Sequence, residues 1–263
     1  MNKYRIEIDG LRAIAVIPVI LYHISVSLVS HGFLGVDVFF IISGYLITSI
    51  ISYQIQNGTF SLSKFYLKRA RRILPVAYLV LLLSFAVGYL VLLPTDLRNL
   101  SQAAVSIIGF AANIFFYFEI DYFNHFANNN PLLHFWSLSL EEQFYFVTPS
   151  VFLLIGKRKK LLNGFLLIIF LSSLYVYLKN LGDNEQLAFY SLHTRAWQLT
   201  LGALVARLRP LNSEPPFDRI MADVISSIGL FLIIKPIAKP AKAIPITINV
   251  AKNVLIVLNH TIC

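Results

Sequence analysis

The chain is poor in charge, poorer in acid than in base, and almost without cysteine. Of its 263 residues 13% are charged, 13 acids against 22 bases, while 57% are hydrophobic and the mean hydropathy is +0.70. A soluble domain carries about 25% charged residues, so a soluble fold is excluded and a polytopic membrane protein is implied. The only cysteine is Cys263, the last residue, so no disulfide forms within the chain and cysteine usage is silent on redox compartment. The bases behind the net charge of +9 are clustered, Lys64, Lys68, Arg69, Arg71 and Arg72 in one group and Lys157 to Lys160 in another, each between hydrophobic runs. That pattern fits loops beside anionic headgroups, with the membrane as partner and no nucleic acid. No internal repeat of the kind that marks many secondary transporters is present. A cleavable signal peptide is set aside because Asp9, Arg12 and His23 interrupt the first apolar run and further spans follow.

Runs long enough to span a bilayer, about 17–25 residues each, occur at 11–30, 33–55, 74–93, 101–118, 133–156, 161–178, 189–207 and, more weakly, 220–235. Were all of them to cross, the two basic clusters would fall on opposite sides, against the positive-inside rule. The segment 101–118 is the one expected not to cross, because it holds Ser101, Gln102, Ser106, Gly109 and Asn113 and leads to Asn128, Asn129, Asn130 and Pro131. Irregular backbone is tolerated at membrane depth only where protein or a cavity covers it, so a re-entrant or interfacial element is predicted there. The fold expected is all-α, a polytopic membrane helix bundle of about seven spans plus that element. The amino terminus and both basic clusters then lie in the cytoplasm. Leu62 to Ile73, with Phe65, Tyr66 and Leu67 among bases, reads as an amphipathic helix on the cytoplasmic surface, and Pro75 reads as the opening of the next span. Beyond 208 the pattern changes. Pro215, Pro216, Pro236, Pro240 and Pro245 break any long helix, which leaves 209–263 as a divergent segment with one weak span and an irregular tail.

The first run carries an arginine and a histidine. Arg12 and His23 are eleven residues apart, close to three whole turns, so Arg12, Val16, Val19 and His23 form one stripe. An ionisable group within a membrane helix costs roughly 2.5–3.5 kcal/mol on insertion scales and reads as functional by default. A buried imidazole stays neutral and able to accept a proton, which suits a general base. A histidine acting as a nucleophile is equally compatible. Asp37, flanked by aromatic and β-branched residues, requires a cationic partner if buried, and Arg12 on the neighbouring helix is one candidate. The alternative places Asp37 at the outer interface. Glu141 and Glu142 lie well inside a spanning run and point about 100° apart, so at most one of them faces a given site.

Five ordered motifs carry a resemblance: IDGLRAIAVIPVILYH at 8–23, GFLGVDVFFIISGYLIT at 32–48, FYLKRARRILP at 65–75, HFWSLSLEEQFYFVTP at 134–149 and LHTRAWQLTLGALVA at 192–206. Together they resemble the acyltransferase-3 family of integral membrane O-acyltransferases, which acylate O-antigen, peptidoglycan and exopolysaccharide. The resemblance implies that His23 is the essential histidine and Arg12 its companion, with Asp37 and Glu142 in the catalytic region and Glu142 orienting His23 or binding the acceptor. It implies that Arg69 and Arg72, spaced one turn apart, hold the phosphates of acyl-CoA, a task to which the planar guanidinium fork is suited. The bland reading of that cluster is a topogenic basic loop. Trp136, Ser137, Glu141 and Arg195 are implied to bind substrate, although Trp136 with His134 also fits an interfacial belt and Arg195 a snorkelling arginine. Arg195 and Trp197 match members that carry an additional SGNH-type esterase domain, for which no soluble stretch here is long enough.

The function implied is transfer of an acyl group, acetyl first, from acyl-CoA to a hydroxyl of a lipid-linked or surface carbohydrate. It takes place at a bacterial inner membrane, with no permanently bound cofactor and no metal. The resemblance fades after about Ala206, and the chain reads as truncated relative to members with around ten spans. A transporter of acyl groups or protons and an inactive remnant are the rival readings.

Overall fold

A computed structural model describes residues 6–23, 32, 34–122, 130–156 and 158–208, without the side chains of 6–9, His23 and 120–122. All regular structure among them is helical: α1 (Ile6–His23), α2 (Leu34–Gln56), α3 (Leu62–Val91), α4 (Pro94–Ile108), α5 (Ala112–Tyr122), α6 (Phe135–Ile155), α7 (Lys159–Asp183), α8 (Glu185–Tyr190) and α9 (Leu192–Leu208). The helical bundle is thus as expected. Of the described helices, α2, α3 and α7 are long and apolar enough to cross a membrane by length and composition alone. The weak span at 220–235 and the tail lie outside the described residues, as do 123–129.

The side-chain pairings give each helix a direction. Asp37 of α2 meets Arg195 of α9, and further along both helices Gly44 meets Leu199 and Tyr45 meets Gly202, so α2 and α9 run parallel. In α3 and α6, the Tyr66 hydroxyl donates to the Phe146 carbonyl at 2.9 Å and Arg69 meets Glu142, so these two are antiparallel. For α7 and α9 the pairs are Arg207 with Asn163 and the Trp197 amide with the Ser173 hydroxyl, again antiparallel. Close approaches of Gly35 to Ala15 and of Gly32 to Pro18 set α1 antiparallel to α2. One end of the bundle therefore carries Asp37, Trp136 and Arg195, and the other carries Lys64, Arg72 and Arg207. That is the arrangement required if both basic clusters share a side.

The seam between α2 and α9 is built on missing side chains. A Cβ added at Gly202 would sit 2.0 Å from the Ile41 carbonyl oxygen, and one at Gly44 2.0 Å from that of Leu199. Where lipid tails are as apolar as leucine, such backbone approach is what holds helices together. Gly202→Ala is expected to force the pair apart and cost about 1–3 kcal/mol. Gly164→Ala on α7, where nothing lies within 4 Å, is expected to be neutral or slightly stabilising. Thermal unfolding of the detergent-solubilised variants compares them, and equal midpoints would refute the seam.

Two expectations change in detail. No separate surface helix precedes Pro75: Leu62 to Val91 is one 30-residue helix with Pro75 inside it. The buried residues Phe65, Ile73, Ala77, Val80, Leu81, Ser84 and Gly88 continue one stripe across the proline, so burial of that face outweighs the lost hydrogen bond. The segment predicted not to cross is broken at Gly109–Ala111 into α4 and α5, with Phe110 at φ 51° in the left-handed region. Its backbone is served from α6: Gln143 Nε2 donates to the Phe110 carbonyl and to Asn113 Oδ1, both at 2.8 Å, and the Ala112 amide donates to the Ser139 hydroxyl at 3.2 Å. Asn113 Nδ2 in turn donates to the Tyr190 carbonyl at 3.1 Å. This is the condition under which irregular backbone persists away from water.

Candidate functional site

Four helices contribute to one polar cluster inside the bundle. On α3, Arg69 falls on the buried stripe midway between Phe65 and Ile73, whereas Lys64, Lys68, Arg71 and Arg72 are exposed. Its Nε and Nη2 both donate to Glu142 Oε1, at 3.2 and 2.7 Å, and its guanidinium lies 3.7 Å from the centroid of the Tyr145 ring. Stacking on one face while donating from the edge is an arrangement only a planar cation offers. Ser43 of α2 neighbours both Glu141 and Tyr145, and Arg12 of α1 is near enough to act on Glu141 electrostatically.

Both adjacent carboxylates enter this cluster, against the expectation that at most one of them faces a given site, but they meet it through different partners. Glu142 is committed to Arg69. Glu141 is 3% exposed, and its Oε1 has no hydrogen-bond partner among the described residues. A buried carboxylate oxygen without a donor costs free energy unless something else supplies one. Glu141 lines a cavity between α1, α2 and the start of α6, whose other walls include Val16, Val19, Phe39, Ser137 and His134. Val16 and Val19 belong to the stripe that ends at His23, the last residue of α1, whose side chain lies outside the described residues. Arg12 lies over Phe39 with its guanidinium carbon 5.3 Å from the ring centroid.

A second charged centre occupies the opposite end. Arg195 does not snorkel: it is 5% exposed and forms an ion pair with Asp37. Arg12 is therefore not the ion-pair partner of Asp37. Arg195 Nε donates to the Phe189 carbonyl at 3.2 Å, and the guanidinium lies among the rings of Phe189, Tyr177 and Trp136 at 5.0, 5.6 and 5.9 Å. The reach from α9 to α2 explains the difference, since the parallel seam at Gly44 and Gly202 carries Arg195 to the level of Asp37. Trp136 is buried against Phe40, Phe189 and Tyr190 rather than standing in an interfacial belt.

The structure thus joins Arg12, Arg69, Glu141 and Glu142 around Ser43 and Tyr145, and joins Asp37 with Arg195 and Trp136. It separates Arg69, turned inward, from Arg72, which is exposed. Ser137 lines the cavity and donates to the His134 carbonyl at 3.1 Å. Tyr145 is legible in the sequence only as sharing a face with Glu142. Gln198, fully buried on α9 with neither amide atom bonded among the described residues, carries no sequence signal beyond a polar side chain in an apolar run.

The acyltransferase-domain family pattern matches residues 5–258, nearly the whole chain and past Ala206. This chain belongs to the acyltransferase-3 family. Among relatives of this acyltransferase-3 protein, the peptidoglycan O-acetyltransferase OatA of Listeria monocytogenes is 38% identical over 227 residues, 82% of this chain and 36% of that protein. A putative O-acetyltransferase of Staphylococcus aureus is 34% identical over 237 residues, 86% of this chain and 39% of the relative. The putative peptidoglycan O-acetyltransferase YrhL of Bacillus subtilis is 35% identical over 220 residues, 80% and 34% of the two chains. The chain accordingly spans little more than a third of the length of these relatives. No solved structure matches this acyltransferase-3 chain.

Proposed function

We propose that this chain is an O-acyltransferase that moves an acyl group, acetyl first, from acyl-CoA to a hydroxyl of a cell-envelope glycan, lipid-linked or already at the surface. The observation that carries the reading is the buried carboxylate of Glu141, whose Oε1 has no hydrogen-bond partner among the described residues. It stands between the Arg69 cluster and a cavity whose α1 wall leads to His23. In this scheme the basic end of the bundle faces the cytoplasm of a bacterial inner membrane, with the amino terminus on that side. Arg72, exposed one turn beyond Arg69, takes CoA phosphates by charge-assisted hydrogen bonds. Arg69, fixed by Glu142 and Tyr145, forms the floor over which the thioester enters. The relatives' names bear on the acceptor, since two of them refer to peptidoglycan.

The reaction balances without any further reagent. The acceptor oxygen bonds to the carbonyl carbon, the carbon–sulfur bond breaks, and the hydroxyl proton passes to His23 and from there to the thiolate, releasing CoA as a free thiol. Arg12 and Glu141 set the electrostatic surroundings of that histidine, and Asp37 with Arg195 holds α2 and α9 in register around the site. A relay through acyl-histidine consumes the same reactants and releases the same products.

Purified protein in lipid nanodiscs, given acetyl-CoA and a soluble glycan acceptor, is expected to release free thiol only when the acceptor is present and to leave acetyl on the glycan as an ester. Movement of labelled acetyl or protons across a vesicle without thiol release would instead establish transport and end the transferase reading.

A further inference from the structure

We propose that the cavity between α1, α2 and the start of α6 seats the hydrocarbon end of the transferred acyl group and restricts transfer to two-carbon acyl groups. The inference rests on the acyltransferase reading and goes beyond it by naming the residues that set chain length.

The walls are the first argument. Against the polar groups of Glu141, Ser137 and His134, the rest of the lining is hydrocarbon, from α1 and α2 and from Phe135 and Leu138 of α6, with Val16 and Val36 facing the space from the first two helices and Phe39 beside them. An apolar recess rimmed on one side by polar groups fits an acyl chain, with its methyl inward and its carbonyl at the polar edge. A sugar ring, with hydroxyls on every side, would leave most of them facing hydrocarbon without partners.

Size is the second argument. The cavity has room for roughly one or two groups the size of a water molecule or a methyl. Its walls cannot yield by parting the helices, because α1 and α2 already touch backbone to backbone: a Cβ at Gly35 would lie 2.1 Å from the Ala15 carbonyl oxygen. Ala15 is fully buried, and Val19 is 2% exposed. Phe39 is held in place by the Arg12 guanidinium above it. A close-packed boundary of this kind rejects an added methylene by overpacking.

Position is the third. Glu141 borders the cavity and also neighbours Ser43 and the Arg69 cluster. A thioester arriving from the basic end therefore reaches the polar edge of the cavity as its methyl enters the recess, and the α1 wall carries Val19 one turn before His23.

The test is a donor series with the full chain in nanodiscs, using acetyl-, propionyl- and butyryl-CoA with one glycan acceptor. One methylene is worth about 10–200-fold in a fitted apolar site. The unaltered protein is expected to favour acetyl over propionyl by at least about tenfold in kcat/KM and to leave butyryl unused. Val16→Ala and Val36→Ala are each expected to raise the propionyl-to-acetyl ratio about tenfold, and Val36→Leu to lower it further. The ratio is taken within each variant, so partial misfolding divides out. Equal use of propionyl and acetyl by the unaltered protein overturns the proposal, as does a ratio within twofold of that value in both alanine variants. Absence of thiol release with all three donors marks failure of the transferase reading itself, a result distinct from a flat donor preference.

Discussion

Arg195→Ala is expected to lower the stability of the bundle by about 3–5 kcal/mol, and Asp37→Ala by a similar amount, because each leaves the other charge buried and uncompensated. The side chains retain only 6% and 20% exposure. Arg195 also loses its bond to the Phe189 carbonyl and its place among three aromatic rings. Arg195→Lys is expected to recover little of the loss, since an ammonium cannot both pair with Asp37 and fill the planar slot between the rings. The double variant Asp37→Leu with Arg195→Met is the informative one. Removing both charges together abolishes the unpaired state, so it is expected to be more stable than either single alanine variant. Thermal unfolding of the unaltered protein and the four variants, followed by intrinsic fluorescence, gives the midpoints. Additive losses would show that the two side chains act independently and would remove the ion pair as the clasp between α2 and α9.

His23→Ala is expected to reduce acceptor-dependent thiol release about 10²–10⁴-fold, the range for loss of a positioned general base. Midpoints of unfolding measured beside the rates separate lost chemistry from lost fold. Labelled acetyl-CoA supplied without acceptor then distinguishes the two routes: retained label on the unaltered protein, absent in His23→Ala, identifies an acyl-histidine, and no retained label identifies direct attack. Turnover within threefold of the unaltered protein would exclude His23 from the reaction. Glu142→Gln is a useful contrast, since it acts through the placement of Arg69 and is expected to raise KM for the CoA donor more than it lowers kcat.

How much of this was legible in the amino-acid order depends on the range of the interaction. Helix positions followed from the apolar runs, and the break near Gly109 followed from polar residues crowded into one of them. The four-residue spacing of Phe65, Arg69, Ile73 and Ala77 already set Arg69 apart from its basic neighbours, but counting charges as one cluster concealed it. Pro75 misled for a physical reason: a local rule about hydrogen bonding was outweighed by a buried stripe that continues on both sides. The 100° between Glu141 and Glu142 predicted that only one of them would face a given site, yet both enter the Arg69 cluster, and which of them forms the ion pair depends on where α3 lies against α6. The partner of Asp37 is 158 residues away, and no periodicity within either helix points across that distance. Gln143 and Asn113 belong to the same class, side chains whose partners are backbone groups exposed by a break elsewhere.

The same separation shapes the birth of the protein. At ~5–20 residues per second, the anionic side chain of α2 enters the bilayer roughly 8–30 s before its cation is synthesised, and until then it must be sheltered by water, by the insertion machinery or by a temporary mate. Helices α1 and α2 are in that sense a waiting half-structure, and ribosomes halted before α9 would release chains carrying an unmatched carboxylate in the membrane, a ready signal for the proteases that survey it.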